Sequence, residues 1–298
     1  MDKKKVFAAI GLTTGVSYLS YKLISDEMFR RVFARKQLNV RQRPEVKKLL
    51  ESFDIKEIIK ESFDGLKLHA EDIHNHAHSN YIIMVHGIWS TRKDMYERAI
   101  EFDRLGYNVL LIDQRAAGDS EGKYYTYGFK ESLDLLIWID YIVTTYRDSQ
   151  ICLYGVSMGA ATVMMAGVNR LPSAVKCIVE DCGYSSMKEE FDHVLRRDYK
   201  LAYTGIVLRL LENKMEDEFG MHYQDVNIKK FLEENEIPIL FIHGTKDDFV
   251  PYDMAKMLYN HNKGEKKFYP VEEAGHTEAN SDPDYYKNVD GFIRNYLN

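Results

Sequence analysis

Cysteine is scarce in this chain: three residues, Cys152, Cys177 and Cys182, among 298. The count is odd, no pair has CxxC spacing, and Cys152 and Cys177 sit in apolar runs. A disulfide framework, a dithiol redox motif and a zinc knuckle are therefore unsupported, and the cysteines read as small buried apolar residues. An excess of positive charge is also missing. The net charge is −6, so no basic field points to nucleic acid as a partner. There is no internal repeat and no low-complexity tract. No A-x-A-like cleavage site follows the apolar segment near the amino terminus, which argues against a cleaved signal peptide.

That segment runs from residue 6 to residue 24, interrupted by Lys22 and preceded by three lysines. Its uncharged core is shorter than the ~20 residues a bilayer span needs, although a snorkelling lysine could extend it. It reads as a membrane anchor or as a docked or interfacial helix. The first reading places the protein at a membrane, and the alternative is a cytoplasmic one. Residues 25–50 are highly charged and read as a linker or surface helix, with Pro44 opening a helical turn. The expected division is residues 1–50 followed by a globular domain over 51–298.

The domain opens with alternation around Phe53 and Ile55, then Asp64-Gly65, then alternation at Leu66 and Leu68, which predicts an antiparallel hairpin. Six short apolar runs follow, beginning at Tyr81, Asn108, Ile151, Val175, Ile237 and Lys267. Strands buried on both faces produce such runs. Helical periodicity fills most of the gaps, at 95–105, 129–146, 160–168, 252–260 and 285–297. The alternation predicts an α/β fold with a mostly parallel central sheet and helices on both faces. One gap exceeds fifty residues and carries helical patterning. It is expected to be a helical cap insertion over about 184–236, because a structureless loop of that length is rare inside a compact domain.

Gly155-Val156-Ser157-Met158-Gly159 stands between an expected strand and an expected helix. A chance G-x-S-x-G arises on the order of 0.1 times in a chain this long. The strand–turn–helix setting sharpens it into a nucleophile position at a helix N-terminus. A serine hydroxyl needs a base within hydrogen-bond reach, and the base needs an orienting acid. His276 follows the last expected strand, where loops gather over the carboxyl edge of the sheet. Asp247, Asp248 and Asp181 are all placed to serve as the acid. The backbone N–H of Met158 would stabilise an oxyanion. His86 reads as structural, and the His74–His78 triplet as a polar turn, since no zinc-type spacing accompanies it.

In these motifs residues 53–298 resemble the α/β-hydrolase superfamily, especially bacterial esterase-like members with an N-terminal hydrophobic segment. The resemblance maps the family's Gly-x-x-Asp-x-x-Val-Pro onto Gly244, Asp247, Val250 and Pro251, and so selects Asp247. It maps Gly-His onto Gly275-His276 and His-Gly onto His86-Gly87. With position it assigns the second oxyanion donor to the N–H of Ile88, and Trp89 stands beside it as a candidate for the substrate pocket. The chain departs from many relatives at Arg115-Ala116-Ala117-Gly118, where they carry Arg-Gly-His-Gly. The resemblance implies a serine hydrolase acting on a small-molecule acyl substrate, with catalytic Ser157, Asp247 and His276 and an acyl-enzyme intermediate. No metal or organic cofactor is implied. Carboxylic esters are the first expectation, with acyl thioesters and peptides as alternatives of the same chemistry. A non-catalytic, membrane-tethered binding protein is the rival of another class.

Overall fold

The computed structural model describes residues 18–36, 42–167 and 171–297. Eight strands form one sheet: β1 (Ile55–Glu61), β2 (Lys67–Ile73), β3 (Asn80–Val85), β4 (Asn108–Ile112), β5 (Gln150–Val156), β6 (Val175–Asp181), β7 (Ile239–Gly244) and β8 (Lys266–Val271). Their order is β1-β2-β4-β3-β5-β6-β7-β8. β1 pairs with β2, and β2 with β4, antiparallel; every other pairing is parallel. The hairpin turns at Gly65, whose φ of +84° suits a residue without a Cβ.

The continuous apolar runs follow from burial on both faces. Along β3, Tyr81, Ile83 and Val85 enter one core and Ile82 and Met84 the other, as a two-residue side-chain period requires. The helices divide accordingly. Helices α2 (Pro44–Leu50), α3 (Tyr96–Arg104) and α10 (Tyr285–Ile293) contribute to the second core. Helices α4 (Phe129–Thr145), α5 (Met158–Ala166) and α9 (Tyr252–His261) contribute to the first. Between β6 and β7 stand α6 (Met187–Tyr199), α7 (Gly205–Phe219) and α8 (Ile228–Leu232), and their buried residues join the first core.

Of the readings open for the amino-terminal region, the described residues show a docked helix. Residues 6–17 of the expected apolar segment lie outside the described residues. Tyr18–Ile24 begin α1 (Tyr18–Phe33), which buries Tyr21, Ser25, Met28, Val32 and Phe33. Among the described residues no helix is long and apolar enough to cross a membrane. The charged stretch from residue 25 is not a free linker, because α1 packs on the cap. Phe29 stacks on Phe219 of α7 at 5.8 Å, and Phe33 meets Phe191 of α6 edge-on at 5.6 Å and Tyr127 at 5.4 Å. Phe33 is fully buried. Phe33→Ala should therefore cost about 3–5 kcal/mol and lower Tm by on the order of 10 °C. A thermal melt shifted by less than about 2 °C would show that α1 adds little to the fold.

Candidate active site

Five loops at the carboxyl ends of parallel strands meet at one point, the place where such sheets gather ligands and reacting groups. β5 ends in Ser157, which has φ +56° and ψ −116° and immediately precedes α5. That backbone is strained for a residue with a Cβ. Its amide is held by the carbonyl of Asp181 at 2.8 Å. The flanking glycines are required by close approach: a Cβ on Gly159 would drive into the Val85 carbonyl, and one on Gly155 into that of Gly159. The spacing G-x-S-x-G thus lets α5 lie tightly against β3 and β5 while the serine projects from the turn.

The hydroxyl of Ser157 stands 2.9 Å from Nε2 of His276, and Nδ1 of His276 stands 2.7 Å from Oδ2 of Asp247. With Nδ1–H donating to the carboxylate, Nε2 is left to accept the serine proton. The other oxygen of Asp247 accepts the amides of Phe249 and Val250, each at 2.9 Å. Nε2–H of His243 shares its proton between the Val250 carbonyl at 2.9 Å and Oδ2 of Asp247 at 3.2 Å. Burial opposes the charge on Asp247, but the hydrogen bonds from His243 and His276 outweigh it. They hold the carboxyl well below the usual carboxylate range. The His276 loop is pinned by Arg98, which reaches the Thr277 carbonyl at 3.1 Å and Asn280 at 2.9 Å.

The competing acids go elsewhere. Asp181 accepts the Tyr285 hydroxyl at 2.8 Å. Asp248 contributes its backbone carbonyl to His193 and Arg197. His86 is buried, with Nδ1 donating to the Gly87 carbonyl at 2.7 Å and Nε2 accepting from Gln114 at 3.1 Å, a structural arrangement. In the histidine triplet, His74 hydrogen-bonds to Tyr81 and His76 stacks on His78. Among the described residues, ligand atoms of Cys182, Asp247 and His276 lie close enough to share an ion. Two of those three residues are already bonded to each other.

Two clefts open from Ser157. One, narrow, runs beneath α6 and is lined by Met158, Ile88, Trp89, Phe191 and, from α1, Arg31 and Val32. The other, wider, lies on the His276 side, holds about 400 Å³ and includes Gly87, Arg98 and Thr277. Met158 is the first residue of α5, so its N–H has no acceptor within the helix. Ile88 follows Gly87, where a Cβ would stand 3.3 Å from that of Ser157. Trp89 borders both clefts, at φ +56°, with the Lys36 ammonium 3.4 Å from its ring centroid. His243 and the α1 residues had no role in the sequence reading. His243 could have been found from its place four residues before Asp247.

A family profile described as alpha/beta hydrolase fold matches residues 80–229. An uncharacterized protein of Bacillus subtilis (strain 168), YqkD, is 26% identical over 299 residues, covering 98% of each chain. The human protein ABHD12B is 27% identical over 157 residues, 52% of this chain and 41% of its own. Among solved structures, an esterase of Pyrococcus furiosus superposes with a TM-score of 0.70 at 24% identity, covering 90% of this chain and 99% of its own. An acetyl xylan esterase from Paenibacillus sp. R4 gives 0.64 at 18% identity, covering 93% and 94%. The strand order, the serine turn after β5 and the matched profile lead to one conclusion: this chain belongs to the alpha/beta hydrolase fold family.

Proposed function

We propose that the protein is a serine hydrolase that cleaves carboxylic esters through an acyl-enzyme. The observation that carries the proposal is the unbroken hydrogen-bonded chain from the Ser157 hydroxyl through His276 to Asp247. In the first half-reaction Ser157 Oγ bonds to the acyl carbon and its proton passes to Nε2 of His276. The N–H groups of Met158 and Ile88 receive the oxyanion. The tetrahedral adduct then breaks its bond to the leaving oxygen, which takes the proton from His276. Water gives a proton to His276 and attacks the acyl carbon in turn; the serine oxygen departs and recovers its proton.

The two clefts support an assignment of substrate halves. The leaving oxygen must meet His276, so the alcohol belongs in the open cleft on that side. The acyl chain then lies in the narrower cleft beneath α6. The esterases that share the fold support an oxygen ester as the scissile bond. The test is labelling of full-length protein by a fluorophosphonate, with the adduct located by peptide mass spectrometry. The expected result is one modified residue, Ser157. Folded protein that takes up no label, or takes it elsewhere, would overturn the assignment and favour a non-catalytic binding role.

A further inference from the structure

The cap helix α6 places two acids in the narrower cleft, Glu190 and Asp198; Asp198 pairs with Arg197 and faces Arg31, and Glu190 has no such partner. Glu190 is only 4% exposed and lines the same cavity as Ser157. Both of its carboxyl oxygens are buried without a hydrogen-bond partner among the described residues. Its sequence neighbour Glu189 behaves in the ordinary way, pairing with Lys229 and with the hydroxyls of Ser185 and Ser186. Buried polar groups are nearly always satisfied, and one that is not asks for an explanation. The walls around Glu190 supply none. Tyr184 spends its hydroxyl on the Tyr127 carbonyl, and Tyr127 spends its own on the Val32 carbonyl. Phe191 and Val194 are apolar, and the charged lining residues Arg31 and Asp198 face each other at 3.9 Å.

Resting on the hydrolase reading above, we propose that Glu190 is a specificity residue. Its carboxyl pairs with a neutral hydroxyl carried on the acyl chain of the substrate, so the acyl group is a hydroxylated rather than a plain alkanoyl chain. The charge state fits a neutral partner. Burial, then the nearby charge of Asp247, push the acid up to about 8, against the opposing pull of Arg197 and with Asp198 adding to the rise. Near neutral pH the group is mostly a carboxylic acid, with one O–H to give and lone pairs to receive. A hydroxyl offers the matching acceptor and donor. An ammonium group would have to leave water for a cleft that Arg31 already lines and draw a proton off the acid, which costs more than a neutral pair. A site whose buried polar group is left unpaired discriminates against the substrate that lacks the partner.

The test compares p-nitrophenyl esters of ω-hydroxy, ω-ammonio and unsubstituted alkanoic acids of matched length, about six to ten carbons, with full-length protein. The expected wild-type result is a kcat/KM at least about tenfold higher for the hydroxylated chain than for the plain chain at one length. Glu190→Gln keeps a donor and an acceptor at the same place and should retain that ratio. Glu190→Leu should bring it to near unity. A ratio unchanged in Glu190→Leu would overturn the proposal and leave Glu190 a packing residue. A preference for the ammonium ester that Glu190→Gln destroys would overturn it in favour of a cation subsite. Failure here is separable from failure of the hydrolase reading, because fluorophosphonate labelling at Ser157 does not depend on the acyl chain. Labelled protein with no hydroxyl preference sinks only the subsite.

Discussion

Ser157→Ala should lower kcat for any ester the protein hydrolyses by about 10⁶-fold and abolish fluorophosphonate labelling. The substitution removes one oxygen from a side chain that is nearly buried, 5% exposed. The backbone features that create the turn remain: the amide bond to Asp181 and the two glycines against β3 and β5. Alanine tolerates the positive φ no better and no worse than serine, so the thermal midpoint should stay within a few degrees. The loss is large because the nucleophile and its base act as one unit. Without the oxygen, His276 has no proton to take, and what survives is binding plus the oxyanion amides. Steady-state hydrolysis of a p-nitrophenyl ester measures it. A variant that keeps more than about a hundredth of wild-type turnover would assign the chemistry to another group.

Asp247→Asn should reduce kcat by about 10⁴-fold, and the surrounding hydrogen bonds explain why. One oxygen of Asp247 accepts two backbone amides, from Phe249 and Val250. The carbonyl of an asparagine must take that place, since its NH₂ would meet two donors there. The NH₂ is then turned towards His276 and His243. Nδ1 of His276 has to become an acceptor, which moves its proton to Nε2, the atom facing the Ser157 hydroxyl. The ring remains in place but holds its proton on the wrong nitrogen. Tautomer and rate can be read separately, by imidazole nitrogen NMR shifts and by single-turnover hydrolysis. A variant with an unchanged Nδ1–H tautomer, or with less than about a tenfold loss, would show that the carboxylate does not orient the base.

The residues that made the site legible are those whose chemistry requires a particular neighbour or backbone. Ser157 announces itself because its turn demands glycine on both sides. Asp247 follows β7, whose unbroken apolar run marks it as a buried strand, and His276 follows β8, the edge strand, where its place after Gly275 in the last post-strand loop is the signal. The sheet was legible for the same reason, since two-sided burial leaves no polar alternation to confuse the reading. Helix α1 was harder to read. Its buried set, Tyr21, Ser25, Met28, Val32 and Phe33, is a narrow stripe at helical spacing, but Asp26, Glu27, Arg30 and Arg31 fill the turns between. Mean polarity therefore suggested a linker or a surface helix, and the helix is there but packed. Glu190 was missed. It stands beside Glu189 in a charged helix, and only its place on the stripe of Met187, Phe191 and Leu195 separates it from the acid that meets Lys229. The position of α6 over the sheet is what turns that stripe towards the cleft beside Ser157.

The cleft beneath α6 has a floor and a roof of different origin. Its floor, from Met158 to Val250, comes from the strand-end loops that hold the reacting groups in register. Its roof comes from α6 and from Arg31 and Val32 of α1, two segments that contribute nothing to the proton relay. Under the proposed function, bond-breaking and substrate choice would thus vary independently, and a change in how the first helix leans on the insertion would alter which molecules enter without altering what is done to them.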